Sequence, residues 1–187
     1  MVDYTSDGHI FNKTVTIIGI DPGASGAMSF TKLEWIGGKV QTSKINSMKC
    51  HPHIIGRRTS ISMAVEAFEP DECVAYIEKV HAMPHDGRSS LFKFGVNYGV
   101  WLGILHTNPN VHRIIEVSPQ KWMKFWQDYY NIKLPKVKKE RKAKLKQLAN
   151  IYSNKIPTTL WNADSILIAQ YGAEQEKERL NESREDI

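Results

Sequence analysis

Cysteine is nearly absent from this 187-residue chain: Cys50 and Cys73 are the only two. A disulfide scaffold is therefore excluded, and the count fits a reducing compartment. Long apolar runs are missing too, and none approaches the roughly 20 residues that span a bilayer as a helix. Met1 to Asn12 contains no lysine or arginine but does carry Asp3 and Asp7, so it reads as neither a secretion signal nor a transit peptide. Internal repeats and low-complexity segments are lacking, which removes the fibrous classes. The expectation is a cytoplasmic protein with no membrane partner.

What remains is the composition of a globular domain, with 41% hydrophobic and 24% charged residues. The length suits one domain, on a prior of roughly 100–200 residues each. The expected organisation is an N-terminal extension over 1–14, a folded domain over 15–173 and an acidic, flexible tail over 174–187. The formal net charge of +5 is unevenly spread. Lys133, Lys136, Lys138, Lys139, Arg141, Lys142, Lys144 and Lys146 face one acid, Glu140, within a single short segment. Such a stripe is the footprint of a phosphate-backbone binder, or else a solvated helix face.

Val15 to Ile20 is a β-branched apolar run and reads as a buried strand ending at the turn Asp21-Pro22-Gly23. Gly26 to Ile36 and Lys39 to Ile45 read as two more strands, joined by a Gly37-Gly38 hairpin turn. His51 to Arg58 reads as a polar loop, Ser60 to Phe68 as a helix, and Val74 to Ile77 as a strand ending in Glu78. Ser89 or Ser90 is expected to cap a helix to about His106, with Leu91, Phe94, Tyr98, Trp101 and Leu105 on one face. Val111 to Val117 reads as a strand. Ser118-Pro119 opens a helix to about Tyr130, a basic helix runs from about Lys136 to Tyr152, and the last helix begins near Trp161. A hairpin meander followed by βα units predicts an α/β fold: a mixed sheet with helices on both faces.

Three acids stand out. Asp21 and Glu78 each follow an apolar strand directly, and Asp164 opens an apolar helix. Each has a local explanation: turn chemistry for Asp21, strand continuation for Glu78, and the helix macrodipole for Asp164. Together, beside a basic stripe, they suggest converging carboxylates for hard divalent cations. Mg²⁺ prefers carboxylate and water oxygens, and two such ions about 4 Å apart can clamp both oxygens of a phosphoryl displacement.

The segment Ile18-Gly19-Ile20-Asp21-Pro22-Gly23-Ala24-Ser25-Gly26-Ala27 resembles the opening motif of the RuvC-like Holliday junction resolvases, in the RNase H-like nuclease superfamily. Tyr76-Ile77-Glu78-Lys79-Val80 resembles their second acidic strand. The helix segment from Phe92 to Gly103 is similar to that of phage-encoded members, as are Val117-Ser118-Pro119-Gln120-Lys121-Trp122 and Ala163-Asp164-Ser165-Ile166-Leu167-Ile168-Ala169. The resemblance spans about Val15 to Gly172. It implies an RNase H-like fold with a five-stranded mixed sheet. It also implies a divalent-metal-dependent endonuclease of DNA recombination and repair that cuts four-way junctions as a homodimer. If the chain is phage-encoded, it would work in the host cytoplasm. Asp21, Glu78 and Asp164 match the metal-binding acids, for two Mg²⁺ or Mn²⁺ ions. Lys121 and one of Lys138 or Lys139 match lysines near the scissile phosphate. Arg88, Phe92, Lys93, Lys121, Lys138, Lys139 and Lys142 are the candidate DNA contacts, with Phe92 free to stack on an unpaired base.

One position departs from the family pattern. A further Asp or His three or four residues before the last Asp is replaced here by Trp161 and Leu160. Asn162 is the nearest polar candidate ligand, although on a regular helix i and i+2 point about 200° apart. The alternatives are thus a catalytically attenuated branched-DNA binder or an RNA-processing nuclease of the same fold. An actin-like ATPase needs two such domains and more chain than this. Cys50-His51-Pro52-His53 reads as a surface loop, since zinc sites want four ligands. His81 and His85 follow Glu78 closely enough to approach the acids.

Overall fold

A continuous apolar run can be a strand only where both sheet faces are covered, and that is the arrangement found. The computed structural model describes residues 14–23, 25–36, 39–43, 45–79, 87–153 and 156–185. In chain order they form β1 (Val15–Ile20), β2 (Ala27–Ile36), β3 (Lys39–Thr42), β4 (Asn46–Lys49), α1 (Ile54–Glu66), β5 (Glu72–Glu78), α2 (Arg88–Thr107), β6 (Arg113–Val117), α3 (Pro119–Tyr129), α4 (Lys138–Tyr152) and α5 (Ala163–Glu185). The sheet runs β3-β2-β1-β5-β6, with β4 also paired to β2. The meander β1 to β4 is antiparallel, and β5 joins β1 and β6 in parallel.

Side-chain alternation along the central strands divides the core in two. Val15 and Ile17 of β1, with Val74 and Tyr76 of β5, meet Trp122 and Trp126 of α3, Leu145 and Leu148 of α4, and Ile166 and Leu167 of α5. Ile18, Ile20, Ala75 and Ile77 face the other way, onto Ile61 of α1 and Trp101 and Leu105 of α2. Helices thus cover both faces of the mixed sheet, as expected.

Four local readings differ. The strand expected over Lys39 to Ile45 stops at Thr42, and a further short strand, β4, follows at Asn46–Lys49, making six in all. Ser43 breaks the run: its hydroxyl accepts from the Lys32 amide at 2.9 Å and its carbonyl from the Thr31 hydroxyl at 2.8 Å. The polar segment His51 to Arg58 is not all loop, because α1 begins at Ile54. Arg57 is buried there, its Nε donating to the His51 carbonyl at 2.7 Å and its guanidinium lying 5.4 Å from the Trp101 ring centre. Gly87, not Ser89 or Ser90, is the N-cap of α2, with no side-chain cap bond.

The fourth difference is the largest. In place of a flexible tail from residue 174, α5 continues to Glu185. Glu176 is only 2% exposed. It accepts hydrogen bonds from Tyr76 at 2.9 Å, from Arg179 Nε at 2.6 Å and from Arg113. Arg113 and Arg179 also hold Glu72, at 2.6 and 3.0 Å. Glu176 of this acidic segment is thus held by Arg113 from β6 and by Arg179 one turn on along α5. The N-terminal extension to residue 13, the Gly37-Gly38 turn, and His81 and His85 lie outside the described residues.

Candidate active site

Parallel pairing sets Ile20 of β1 beside Ile77 of β5. The next residue on each strand is an acid, so Asp21 and Glu78 leave the sheet together at the same end. Asp164 arrives from a different direction, on the first turn of α5. Its approach depends on Gly19: a Cβ there would stand 2.2 Å from the Ala169 nitrogen and 2.6 Å from the Ser165 carbonyl oxygen. Only glycine lets the helix sit this low on β1. Ser165 adds a tie, its buried hydroxyl 2.7 Å from that of Ser29 on β2.

Each carboxylate has one oxygen held by a protein donor. The Gly23 amide donates to Asp21 Oδ1 at 2.9 Å. The Trp122 indole donates to Glu78 Oε1 at 3.1 Å. Lys142 of α4 donates to Asp164 Oδ2, while Asp164 Oδ1 is buried with no partner. Asn97 of α2 reaches the Pro22 carbonyl and braces the turn after Asp21.

The electrostatics are those of crowded acids. Burial, then the Asp164 charge, raises the Asp21 carboxyl above its usual range. Burial, with Asp21 and Asp164 facing it, pushes Glu78 up to about 8. Burial works to lower the Lys142 ammonium, but Asp164, Asp21 and Glu78 together outweigh it and raise it. These three acids therefore share one electrostatic environment, short of positive charge. Among the described residues, no three His, Cys, Asp or Glu side chains stand close enough to hold a metal ion as they lie. The donor set is nevertheless the right kind for a hard divalent cation, and the orphaned Asp164 oxygen is an open acceptor in it.

The other candidates spread outward from this cluster. Lys121 is exposed on the first turn of α3, just before Trp122, and Lys138 and Lys139 are exposed on the first turn of α4. Of the stripe, Lys142 is the lysine that reaches the acids. Phe92 is 74% exposed on α2 and Lys93 stands exposed beside it, while Arg88 begins that helix. Asn162 is turned elsewhere. Its Oδ1 accepts from the Thr159 amide at 2.7 Å and hydroxyl at 3.0 Å, and its Nδ2 donates to the Pro157 carbonyl at 3.2 Å. The side chain is fully buried and folds the loop that leads into α5. Cys50 is buried, and His51 and His53 are exposed where α1 begins.

Sequence reasoning placed Lys142 only among the candidate DNA contacts, not beside the acids, and did not single out Trp122, Gly19 or Asn97 as site residues. Lys142 carried a usable signal: it shares the 142, 145, 149 spacing of the buried Leu145 and Ala149, so it is a lysine on an apolar helix face. Trp122 and Trp126 are likewise four apart and both buried. Gly19 and Asn97 act through contacts that no local pattern displays.

No protein-family model matches the chain, and no curated protein matches it in sequence. Solved structures do. Thermus thermophilus RuvC in complex with a Holliday junction substrate is 16% identical, covering 87% of this chain and 97% of its own, with a TM-score of 0.50. A structure of Thermus thermophilus RuvC gives the same identity and coverage with a TM-score of 0.52. Among the described residues, no helix is long and apolar enough to cross a membrane. In its mixed sheet, its two helical layers and its similarity to these structures along nearly the whole chain, the protein has the RNase H-like fold of RuvC.

Proposed function

We propose that the chain is a divalent-metal-dependent endonuclease of branched DNA, acting on four-way junctions. The observation that carries this reading is the convergence of Asp21, Glu78 and Asp164, with one buried Asp164 oxygen left open. Carboxylates brought together repel one another, and a bound divalent cation offsets that repulsion. Mg²⁺ or Mn²⁺ bound there would supply an acidified water and offset charge on the phosphodiester oxygens.

The protein's own part is positioning. Gly23, Trp122 and Lys142 each fix one oxygen of one acid, which sets the orientation of the others. Lys121, Lys138 and Lys139 lie exposed on the adjoining helices, where they suit backbone phosphates. Such contacts set the register of the DNA and leave the chemistry to the acids. A junction offers two equivalent strands, which a two-fold pair of sites would match. We assign pairing of two copies to α2, whose outer face exposes Phe92 and Val96 beside Gly95, Gly99 and Gly103.

The deciding experiment is cleavage of a synthetic four-way junction, with linear duplex and an RNA hairpin as competitors, with and without Mg²⁺ or Mn²⁺. Metal-dependent paired nicks on the junction are expected. Preference for the hairpin would move the protein to RNA processing. Tight junction binding with no cleavage in either metal would make it a binding protein.

A further inference from the structure

We propose that Lys142 is a resident counter-cation of the acid cluster, and that a divalent ion must displace it from Asp164 before the site is loaded. The inference rests on the reading of these acids as a metal site and adds an occupant to it. The Lys142 ammonium is bonded to Asp164 Oδ2 and also faces Asp21 and Glu78.

Three donors hold the three carboxylates, and they differ in how easily they can leave. Gly23 donates from the backbone of a tight turn, whose amide nitrogens and carbonyls are bonded to each other. Trp122 donates from a ring that is 1% exposed and packed in the core. Neither can withdraw without local unfolding. Lys142 rides on a flexible four-carbon stem, and its side chain is 35% exposed. It can swing its ammonium into water while its methylenes stay on the surface of α4. Asp164, 7% exposed as a side chain, cannot follow it out.

An ammonium and a divalent ion on one small carboxylate repel strongly at such range. Each therefore weakens the other, by the same factor in both directions. In the metal-free protein Lys142 neutralises part of the cluster and keeps Asp164 tolerable in its buried place. When a metal enters, the released ammonium emerges near Lys138 and Lys139, four and three residues back on the same helix. A phosphate backbone is the natural acceptor there. Metal loading and DNA capture would thus support each other through one side chain.

The test is Mn²⁺ binding to the DNA-free full chain, followed by the spin-resonance signal of free hydrated Mn²⁺. Lys142→Met should bind Mn²⁺ on the order of tenfold more tightly than wild type. Lys142→Arg, which keeps the charge, should not. Asp164→Asn should lose the binding. In metal-free buffer Lys142→Met should melt below wild type, because a buried carboxylate loses its partner, and saturating Mn²⁺ should close that gap. Lys142→Gln serves the same purpose if the methionine variant does not fold. Equal or weaker Mn²⁺ binding by the neutral variants, with Asp164→Asn still deficient, overturns the counter-cation and leaves the metal site standing. Absence of Mn²⁺ binding in both wild type and neutral variants overturns both.

Discussion

The Trp122 indole donates a hydrogen bond to Glu78 Oε1 at 3.1 Å, joining the first turn of α3 to the end of β5. Glu78 has no such donor on its own strand, so its orientation depends on an aromatic ring from the opposite layer. Trp122→Phe keeps an apolar ring but removes the N–H. Junction cleavage should fall on the order of tenfold to a hundredfold, as when an outer-shell partner of a ligand is lost. The melting free energy should fall by about 2–4 kcal/mol from lost volume and lost bond together. An unchanged cleavage rate in the folded variant would show that the ring only fills space.

Asp21→Asn, Glu78→Gln and Asp164→Asn should each abolish cleavage while leaving junction affinity nearly intact. The acids contribute nothing attractive to a phosphate backbone, and the lysines that do are elsewhere. Gel-shift affinity and nicking, measured on the same preparations, check this. Equal nicking by wild type and any one of the three would remove that acid from the site.

Gly19→Ala tests how α5 is seated. The added methyl meets helix backbone at 2.2 Å, which no side-chain rotation relieves. A loss of about 1–3 kcal/mol is expected for overpacking of this kind, with loss of cleavage because Asp164 moves with its helix. Thermal melting and nicking should fall together. Loss of stability with full activity would mean that the site tolerates displacement of α5.

The paired assembly is tested at Gly99. A Cβ at Gly95, Gly99 or Gly103 meets nothing within 4 Å, so Gly99→Leu is sterically free in one copy. It should even favour the helix, by about 1 kcal/mol. Sedimentation at micromolar concentration should show a pair for wild type and a single copy for the variant, with an undiminished melting temperature. A pair that persists in Gly99→Leu would put the interface elsewhere.

Acid sensitivity should trace to Glu176. Burial by itself would raise this carboxyl. Hydrogen bonds from Arg113, Arg179 and Tyr76 outweigh it and hold the carboxyl below its usual value. A depressed folded-state value means that the group stabilises the fold above the ordinary carboxylate range and loses that contribution as pH falls through the folded value. The stability difference between wild type and Glu176→Gln should thus be full at neutral pH and narrow in acid. A constant difference across that range would show that the charge is not the cause.

Much of the scaffold could be read from local chemistry. β1 announces itself by five apolar or β-branched residues around Gly19 and by an acid at its end. Ser118-Pro119 marked the start of α3, and the Ser118 hydroxyl does accept from the Lys121 amide, at 3.2 Å. What stayed hidden depends on partners far away in sequence. β4 is short and half polar and becomes a strand because β2 is there to pair with it. α1 starts early because Trp101 and Asn97 receive Arg57. Asn162 is the local exception: it looks like a replacement ligand, but its side chain closes onto Pro157 and Thr159, five and three residues back. Lys142 is one basic residue among eight until α4 packs on α5.

The continuity of α5 carries a further consequence. Asp164 on its first turn and Glu176 just past its middle belong to one rod, about 18 Å apart at 1.5 Å per residue. Its middle is anchored to β5 and β6 through Glu72, Arg113 and Tyr76; its first turn presents an acid beside β1. Shortening the chain at residue 173 would look like trimming a charged terminus far from the chemistry. Physically it would release the anchor of a lever, and the first thing to drift would be a carboxylate at the opposite end.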